Sequence, residues 1–170
     1  MHWSSIISVP AIGQWGIDHG IYALMNTRWG WPIAESAHFI GICFLMGCVG
    51  LFDMRMIGLV RGPSLVSLHP LIPFGVVGYV LSACSGMLFV IAAPAEYIDN
   101  PAWQIKMGLM ALAGLNMILF YWTTARAVRG LSADQAAPLA ARLFALVSLS
   151  CWLGVITCGR VITAFRPYFE

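Results

Sequence analysis

Four long runs of apolar residues set what this sequence can fold into. They cover residues 33–58, 71–93, 105–126 and 142–162, and short connectors with Gly, Pro and charged residues separate them. A helix needs about 20 apolar residues to cross the hydrocarbon core of a bilayer, and each run reaches that length. The runs lack the polar–apolar alternation of a membrane β-strand, so helices must satisfy the backbone hydrogen bonds in lipid. The sequence therefore predicts an all-α integral membrane four-helix bundle.

The amino-acid composition agrees with an integral membrane protein and excludes a soluble globular domain. Of the 170 residues, 60% are hydrophobic and 9% are charged, whereas a soluble domain carries about 25% charged residues. The net charge of +2 is too small to indicate a nucleic-acid partner. The five cysteines all lie inside apolar runs, without the spacing of a disulfide framework or a CxxC motif. We expect the lipid bilayer to be the main surroundings of the chain.

Residues 1–30 differ from the four runs. Gln14, Asp18 and His19 interrupt the apolar residues of this stretch, which makes it too polar to span a membrane. We expect an amphipathic segment that lies at the membrane interface, followed by the four-span domain over residues 31–170. The stretch lacks a cationic start before a long apolar core, so we do not expect a cleaved signal peptide.

The basic residues favour one orientation in the membrane. One side of the four runs carries five arginines: Arg55, Arg61, Arg126, Arg129 and Arg142. The other side carries four cations: Arg28, Lys106, Arg160 and Arg166. Lys106 and Arg160 lie inside the membrane boundary and count less, so the positive-inside rule places the arginine-rich loops in the cytoplasm. The prediction is a multi-pass protein of the bacterial inner membrane with both termini in the periplasm.

Four ionisable residues fall near the predicted periplasmic ends of the spans. Glu35 and His38 begin the first span, Lys106 lies in the first turn of the third, and Arg160 lies in the last turn of the fourth. An ionisable group inside a span costs about 2.5–3.5 kcal/mol on insertion scales, so each one requires an explanation. At similar depth they would form a pocket suited to an anion or a polarised carbonyl. Asn116, in the middle of the third span, completes the set of candidate cofactor-binding residues.

Each of these residues also has a structural explanation. Glu35 would pair with Lys106 or Arg160 and tie helices together, and cations near the boundary can extend their side chains toward the headgroups. Asn116 would form a hydrogen bond between helices. His38 is harder to explain in this way, because an imidazole in an apolar run needs a partner, a ligand or a metal.

Two further patterns concern the packing and the opposite boundary. Gly78, Ser82 and Gly86 recur every four residues on the second run, and Cys43 and Gly47 do so on the first. Small residues at this spacing let helix backbones approach closely, so we expect them at the contacts within the bundle. The charged pair at positions 53 and 55 ends the first run, and we expect it to cap the helix and mark the cytoplasmic boundary.

A series of motifs continues through most of the chain from about residue 29. They are Trp31-Pro32 with Glu35-Ser36-Ala37-His38-Phe39-Ile40-Gly41, Phe52-Asp53-Met54-Arg55-Met56-Ile57-Gly58, Pro73 to Gly86, Asn100-Pro101 through Lys106, Ala113-Gly114-Leu115-Asn116, Trp152-Leu153-Gly154 and Gly159-Arg160. In this order they resemble a family of small, uncharacterised bacterial four-span inner-membrane proteins, known only as a domain of unknown function. The resemblance implies a four-span fold and no particular activity. A weaker similarity connects the chain to the membrane domain of copper-resistance D proteins.

The first function compatible with these residues is that of a membrane subunit of a redox complex. It would bind a b-type haem or a quinone near the periplasmic face, anchor a periplasmic oxidoreductase, or do both, because four-helix bundles hold cofactors between facing helices. His38 would ligate the haem iron or bond a quinone carbonyl. His69 lies near the opposite boundary and cannot share that haem, so His19, His2 or a partner chain would supply a second axial ligand.

Two other functions remain open. Nine Met and five Cys are soft ligands suited to Cu(I), which with the copper-resistance similarity favours copper handling, with His38 as a candidate metal ligand. The third alternative is a purely structural anchor or assembly subunit. The sequence has no nucleophile–base pair, phosphate loop or metal-hydrolase spacing. We therefore expect a non-catalytic or electron-transfer subunit rather than an independent enzyme.

Overall fold

The fold consists of helices and short connectors. The computed structural model describes residues 8–129, 131 and 135–165, and every regular element in these segments is a helix. Four helical spans are long and apolar enough to cross a membrane: Gly30–Ile57, Leu65–Ala92, Pro101–Thr123 and Leu139–Phe165. The all-α architecture with four long apolar helices is as predicted, and it is the architecture of a multi-pass membrane protein.

The first half of the chain contains two short helices and two spans. The short helices are α1 (Val9–Asp18) and α2 (Ile21–Met25). The first span consists of α3 (Gly30–Leu45), a π-helical turn (Met46–Gly50) and α4 (Leu51–Ile57). The second span consists of α5 (Leu65–Leu68), a 3₁₀ turn (His69–Leu71) and α6 (Ile72–Ala92).

The second half of the chain also contains two short helices and two spans, but here short helices and spans alternate. The short helix α7 (Pro94–Tyr97) leads into α8 (Pro101–Thr123), which is the third span. The helix α9 (Ala125–Arg129) follows it. The fourth span consists of α10 (Leu139–Val161) and a 3₁₀ turn (Ile162–Phe165).

The span ends define two faces of the bundle. We call the end that carries Gly30, Ala92, Pro101 and Phe165 the N-terminal face, and the end that carries Ile57, Leu65, Thr123 and Leu139 the arginine face. A buried cluster around Phe52, Phe120 and Ala141 holds the spans together at the arginine face. A smaller cluster around Tyr97, Ala102 and Ile162 lies at the N-terminal face.

All four spans begin before the residue predicted from hydropathy, and local caps explain two of these differences. The third span begins at Pro101 rather than at residue 105, because the Asn100 side chain accepts a hydrogen bond from the Ala102 N–H and proline suits the first helical position. The second span begins at Leu65 rather than at residue 71, because the Ser64 side chain caps the helix by accepting a hydrogen bond from the Ser67 N–H. Here Pro70 lies in a 3₁₀ turn within the span and does not end it.

The spans pack as two pairs that meet at the arginine face. Helix α3 packs along α6, and α8 packs along α10. The two pairs join through α4, which packs against α10, whereas α3 does not pack closely against α8 or α10. At the N-terminal face the α3–α6 pair and the α8–α10 pair are therefore less tightly joined than at the arginine face.

Glycines form the contact between α3 and α6, but they are not all the predicted ones. A Cβ built on Gly41 would lie 2.6 Å from the carbonyl oxygen of Gly78, so the two backbones touch at this crossing. The predicted stripe of Cys43 and Gly47 is wrong as a contact surface: Cys43 is exposed, and nothing would lie within 4 Å of a Cβ on Gly47. Spacing alone does not decide which of several small-residue stripes faces the neighbouring helix.

The outward faces of the spans carry large apolar side chains. Trp122, for example, is 81% exposed, and similar residues occur along all four spans. Such a surface is unfavourable in water, so it supports contact with the lipid bilayer. The short helices α1 and α2 contact the end of α6, where Gly16 packs on Ile91. The amphipathic, interfacial position predicted for residues 1–30 stays a prediction.

Candidate functional site

The most informative polar contact near the N-terminal face is made by His38. Its Nδ1 lies 2.8 Å from the backbone oxygen of Ser82 on the neighbouring α6. A carbonyl oxygen can only accept a hydrogen bond, so Nδ1 must carry the hydrogen and donate it. This hydrogen-bond pattern assigns the tautomer of the neutral ring and leaves the lone pair on Nε2. Nε2 can therefore accept a hydrogen bond or ligate a metal.

The surroundings of the His38 ring follow from the close packing of α3 on α6. Ser82 lies one turn beyond Gly78, where the two backbones touch, so its carbonyl is brought within reach of the ring. The Ser85 hydroxyl lies 3.2 Å from Nδ1, but it also donates to the Leu81 oxygen at 2.8 Å. Its single hydrogen is thus used within α6, which strengthens the assignment of Nδ1 as the donor.

Aromatic residues and a glycine shape the space around the imidazole. Phe89 packs edge-on against His38 with ring centroids 5.7 Å apart, and Trp31 stacks parallel to Phe89 at 5.3 Å. A Cβ on Gly86 would lie 3.3 Å from Cε1 of His38, so glycine leaves room for the ring there. The half-buried imidazole therefore lies beside flat apolar surfaces, onto which a conjugated ring can stack.

Lys106 lies near the same face on the other helix pair. It is on α8 and is half-buried, and its Nζ would be 3.5 Å from a Cβ on Gly159 of α10. Lys106 therefore packs within the α8–α10 pair, whereas His38 packs within the α3–α6 pair.

Glu35 and Arg160 do not join this arrangement. Both side chains are exposed on their helices. Within the described residues, neither a hydrogen bond nor an ion pair connects Glu35 to Lys106 or Arg160, so the ion-pair tie considered from the sequence is not formed. Of the four ionisable residues expected near this face, His38 lies against α6 and Lys106 against α10, and no contact joins the two within the described residues. Whether any of the four binds a cofactor stays a prediction.

Asn116 and the remaining histidines lie apart from His38. The Asn116 amide donates to the Phe144 oxygen at 3.0 Å and ties α8 to α10. His69 lies at the arginine face, edge-on to Phe52. His19 stacks on its neighbour Trp15 and bonds that residue's oxygen at the end of α1. His2 lies outside the described residues.

A metal site of several ligands is not present in the part of the chain that the structure describes. No group of three or more His, Cys, Asp or Glu side chains there is arranged to hold a metal ion. His38 offers a nitrogen lone pair beside an apolar surface, and Nε2 of His69 is also buried without a hydrogen-bond partner among the described residues, beside Phe52. The arrangement suits a single hydrogen bond or a single coordination bond to a flat ligand.

Asp53 and Arg55 lie in the last part of α4, near the span end that they were expected to cap, and both are buried there. They are only 4% and 6% exposed. Asp53 bonds Ser148 on α10, while its Oδ2 has no partner, and Nε of Arg55 donates to the Pro63 oxygen at 2.7 Å. Both residues are buried because α4 is the element that joins the two helix pairs.

Comparisons with known proteins do not identify a family for this chain. No protein-family model, curated protein or solved structure matches the chain. The resemblance to the uncharacterised four-span family and to copper-resistance D proteins therefore stays a prediction. The geometry of the site is the basis for the functional proposal.

Proposed function

We propose that the protein is a membrane subunit of a redox complex that binds a quinone or quinol near its N-terminal face. The observation that carries the proposal is the hydrogen bond from Nδ1 of His38 to the Ser82 oxygen. Functional imidazoles are commonly held by such a bond, which orients the ring and leaves Nε2 for the ligand. In this proposal Nε2 accepts a hydrogen bond from a quinol hydroxyl.

The neighbouring residues support a flat, lipid-soluble ligand. Phe89 and Trp31 are aromatic residues near His38, and Lys106 lies near the same face on the neighbouring helix pair. A cation there would stabilise negative charge on a quinone oxygen. Next to His38, Phe39 and Ile40 are exposed on the lipid-facing side of α3. A quinone would therefore reach the imidazole from within the bilayer.

A b-type haem is the alternative cofactor for the same residue. Nε2 of His38 would ligate the iron, and the cations Lys106 and Arg160 would meet the propionates. The fit is only partial, because the other described histidines lie elsewhere. A second axial ligand would have to come from His19 after a rearrangement, from His2 or from a partner chain. A quinone would require only one hydrogen-bonding side chain from this protein, and His38 can supply it.

The cellular setting is part of the same proposal. The protein would lie in the bacterial inner membrane with the N-terminal face toward the periplasm, because the arginine-rich loops lie at the opposite face. The segment with α1 and α2 would rest at the interface. From there the subunit would anchor a periplasmic oxidoreductase that exchanges electrons with the bound quinone.

The second candidate function is a structural anchor without a cofactor, and one observation favours it. The bond from His38 to Ser82 joins α3 to α6, so it would contribute to helix packing even if Nε2 binds nothing. The decisive experiment must therefore distinguish the role of Nδ1 of His38 from the role of its Nε2.

Two substitutions of His38 distinguish the roles of its two ring nitrogens. In His38→Asn, the amide nitrogen takes the place of Nδ1 and can still donate to the Ser82 oxygen, but nothing replaces Nε2. In His38→Gln, the amide reaches the place of Nε2, but the bond to Ser82 is lost. The proteins would be purified in detergent and measured for extractable quinone and quinol, for binding of a short-chain ubiquinol, for haem absorbance before and after dithionite reduction, and for copper.

The expected result is stoichiometric quinone in the unmodified protein. His38→Asn should lose the quinone and keep its thermal stability, whereas His38→Gln should keep part of the binding and lose stability. If the unmodified protein shows a haem spectrum and both variants lack it, the cofactor bound at His38 is a haem rather than a quinone. Stoichiometric copper would support the copper-handling alternative instead. If no quinone, haem or copper is found, or if His38→Asn keeps the ligand, the redox proposal is wrong at this site.

A further inference from the structure

An aromatic cavity lies at the arginine face, on the opposite side of the bundle from His38. Its volume is about 430 Å³. Phe52 of the first span, His69 of the second and Phe120 of the third line it, together with residues of the short helix α9. Sites for small molecules in proteins have volumes of about 300–1,000 Å³. The cavity is therefore large enough for a small ligand.

Four aromatic rings form a closed set of edge-to-face contacts beside this cavity. We call His69, Phe52, Phe120 and Tyr121 the aromatic quartet. Neighbouring ring centroids in the quartet are 5.4–6.5 Å apart, and the ring planes cross at 76–80°. Aromatic rings attract one another in such arrangements. Because three members of the quartet line the cavity, a further aromatic ring inside it can extend the same packing.

The imidazole of His69 has unused hydrogen-bonding capacity. Its Nε2 is buried and has no hydrogen-bond partner among the described residues. The phenyl rings of Phe52 and Phe120 beside it carry no polar atoms that could act as one. A buried polar atom without a partner destabilises a fold, and most such atoms in proteins have one. A ligand that supplies the missing bond would offset this loss.

The chemistry of a neutral imidazole indicates what that ligand carries. One of its two nitrogens holds a hydrogen, and the other holds a lone pair that accepts a hydrogen bond. The ring can turn about its Cβ–Cγ bond with little strain, because this torsion is soft. A nitrogen of His69 can therefore be turned toward a hydroxyl group in the cavity. A ring that carries a hydroxyl group satisfies both the aromatic quartet and the imidazole.

The rest of the lining favours a neutral, lipid-soluble molecule. Apart from His69 and the exposed Arg129, the described residues that line the cavity are apolar. Val66 and Pro70 of the second span line it and are exposed on the outside of the bundle. Such an apolar surface lies against lipid, so a ligand can enter from the bilayer. We propose that this cavity binds the ring of a lipid-soluble phenol or quinol, whose hydroxyl group donates a hydrogen bond to His69.

The test compares two probes that differ in one hydroxyl group, para-butylphenol and butylbenzene. Equilibrium dialysis of the full chain, with the same detergent on both sides, would measure the affinity for each probe. The measurement is made in His38→Asn, because Nε2 of His38 is proposed to accept the same kind of bond. His69→Phe is then added, which keeps an aromatic ring and removes both nitrogens.

A second pair of variants tests whether the probes occupy the cavity. Val66→Trp narrows it, because Val66 lines the cavity and is 53% exposed. Val77→Trp is the matched control, because Val77 is 65% exposed on the same span but does not line the cavity. Thermal unfolding without probe verifies that each variant is folded. His69→Phe should be at least as stable as its parent, since it leaves no buried nitrogen unpaired.

We expect His38→Asn to bind para-butylphenol about ten-fold more tightly than butylbenzene, as for one hydrogen bond to a buried group. Adding His69→Phe should abolish this preference. Val66→Trp should weaken the binding of both probes, and Val77→Trp should leave it unchanged. Equal affinities in His38→Asn, a preference that survives His69→Phe, or equal effects of the two tryptophan variants would overturn the proposal.

The imidazole ¹⁵N shifts of His69 give a second readout in the unmodified protein. They should report a new hydrogen bond when para-butylphenol is added, and butylbenzene should not produce this change. If the shifts already report a hydrogen bond without probe and do not respond to it, a bound water satisfies His69 and the proposal is wrong.

The two probes also separate this proposal from the redox proposal. If the unmodified protein prefers para-butylphenol and His38→Asn does not, the phenol binds at His38. The assignment to His69 is then wrong, whereas the redox proposal gains support. If His38→Asn keeps the preference and adding His69→Phe removes it, the cavity at the arginine face binds the phenol whether or not His38 binds a quinone.

Discussion

Replacing Gly41 by alanine should push α3 away from α6 and release His38 from Ser82. The new Cβ would lie 2.6 Å from the Gly78 oxygen and 2.7 Å from the Ser82 nitrogen. Both are backbone atoms of a helix, so neither can rotate away. Ordinary contacts begin near 3.4 Å, and α6 must therefore withdraw by roughly 0.8 Å at this crossing.

The expected cost has two parts. Forcing an extra methyl group into a close-packed contact costs about 1–3 kcal/mol. The same movement would stretch the bond from His38 to the Ser82 oxygen from 2.8 Å to about 3.6 Å, which is no longer a hydrogen bond. Its loss adds about 0.5–1.5 kcal/mol. We expect Gly41→Ala to lower the free energy of unfolding by about 1.5–4.5 kcal/mol in total.

The assay is reversible unfolding in mixed micelles of increasing SDS content. Gly108→Ala and Gly114→Ala are matched controls, because a Cβ at either position meets nothing within 4 Å. They should be neutral or more stable by up to about 1 kcal/mol, since alanine is the better helix former. The imidazole ¹⁵N shifts of His38 would report the hydrogen bond directly. Equal stability of Gly41→Ala and the controls, with the Nδ1 bond intact, would refute the reasoning.

Three further substitutions test the polar contacts of the bundle in the same unfolding assay. Asn116→Leu removes the bond to the Phe144 oxygen and should cost about 0.6–2 kcal/mol, as for other interhelical bonds in membranes; an unchanged stability would contradict this tie. Asn100→Ala removes the cap of α8 and the bond to the Ile162 oxygen, so we expect a loss of about 1–2 kcal/mol. Glu35→Gln should change stability by less than about 0.5 kcal/mol, because the side chain is exposed. A loss well above this value would show that Glu35 has a partner.

The membrane architecture was predictable because it depends on local hydropathy. Each apolar run is long enough to cross a bilayer by itself, and no contact with another run is needed to recognise it. The span ends were less predictable. They depend on single caps such as Asn100 and on whether Pro70 ends a helix or continues within a turn.

The candidate site was predictable only in part. His38 and Lys106 stand out in the sequence, because ionisable groups are rare within apolar runs. Their partners do not stand out, since Ser82 contributes a backbone oxygen and Gly159 contributes only space. Glu35 lies three residues before His38, yet the structure leaves it exposed. A helical spacing indicates a shared face but not what that face meets.

By itself, the sequence determined that this chain is an all-helical membrane protein with a few costly polar groups. Only the tertiary structure decided that Gly41 rather than Gly47 touches α6, and that Asp53 and Arg55 are buried. The physical reason is that lipid and apolar side chains are similar surroundings for a helix. Hydropathy therefore places a segment in the membrane but does not choose its neighbour. That choice depends on steric fit and on a few hydrogen bonds between helices, which exist only after the spans have packed.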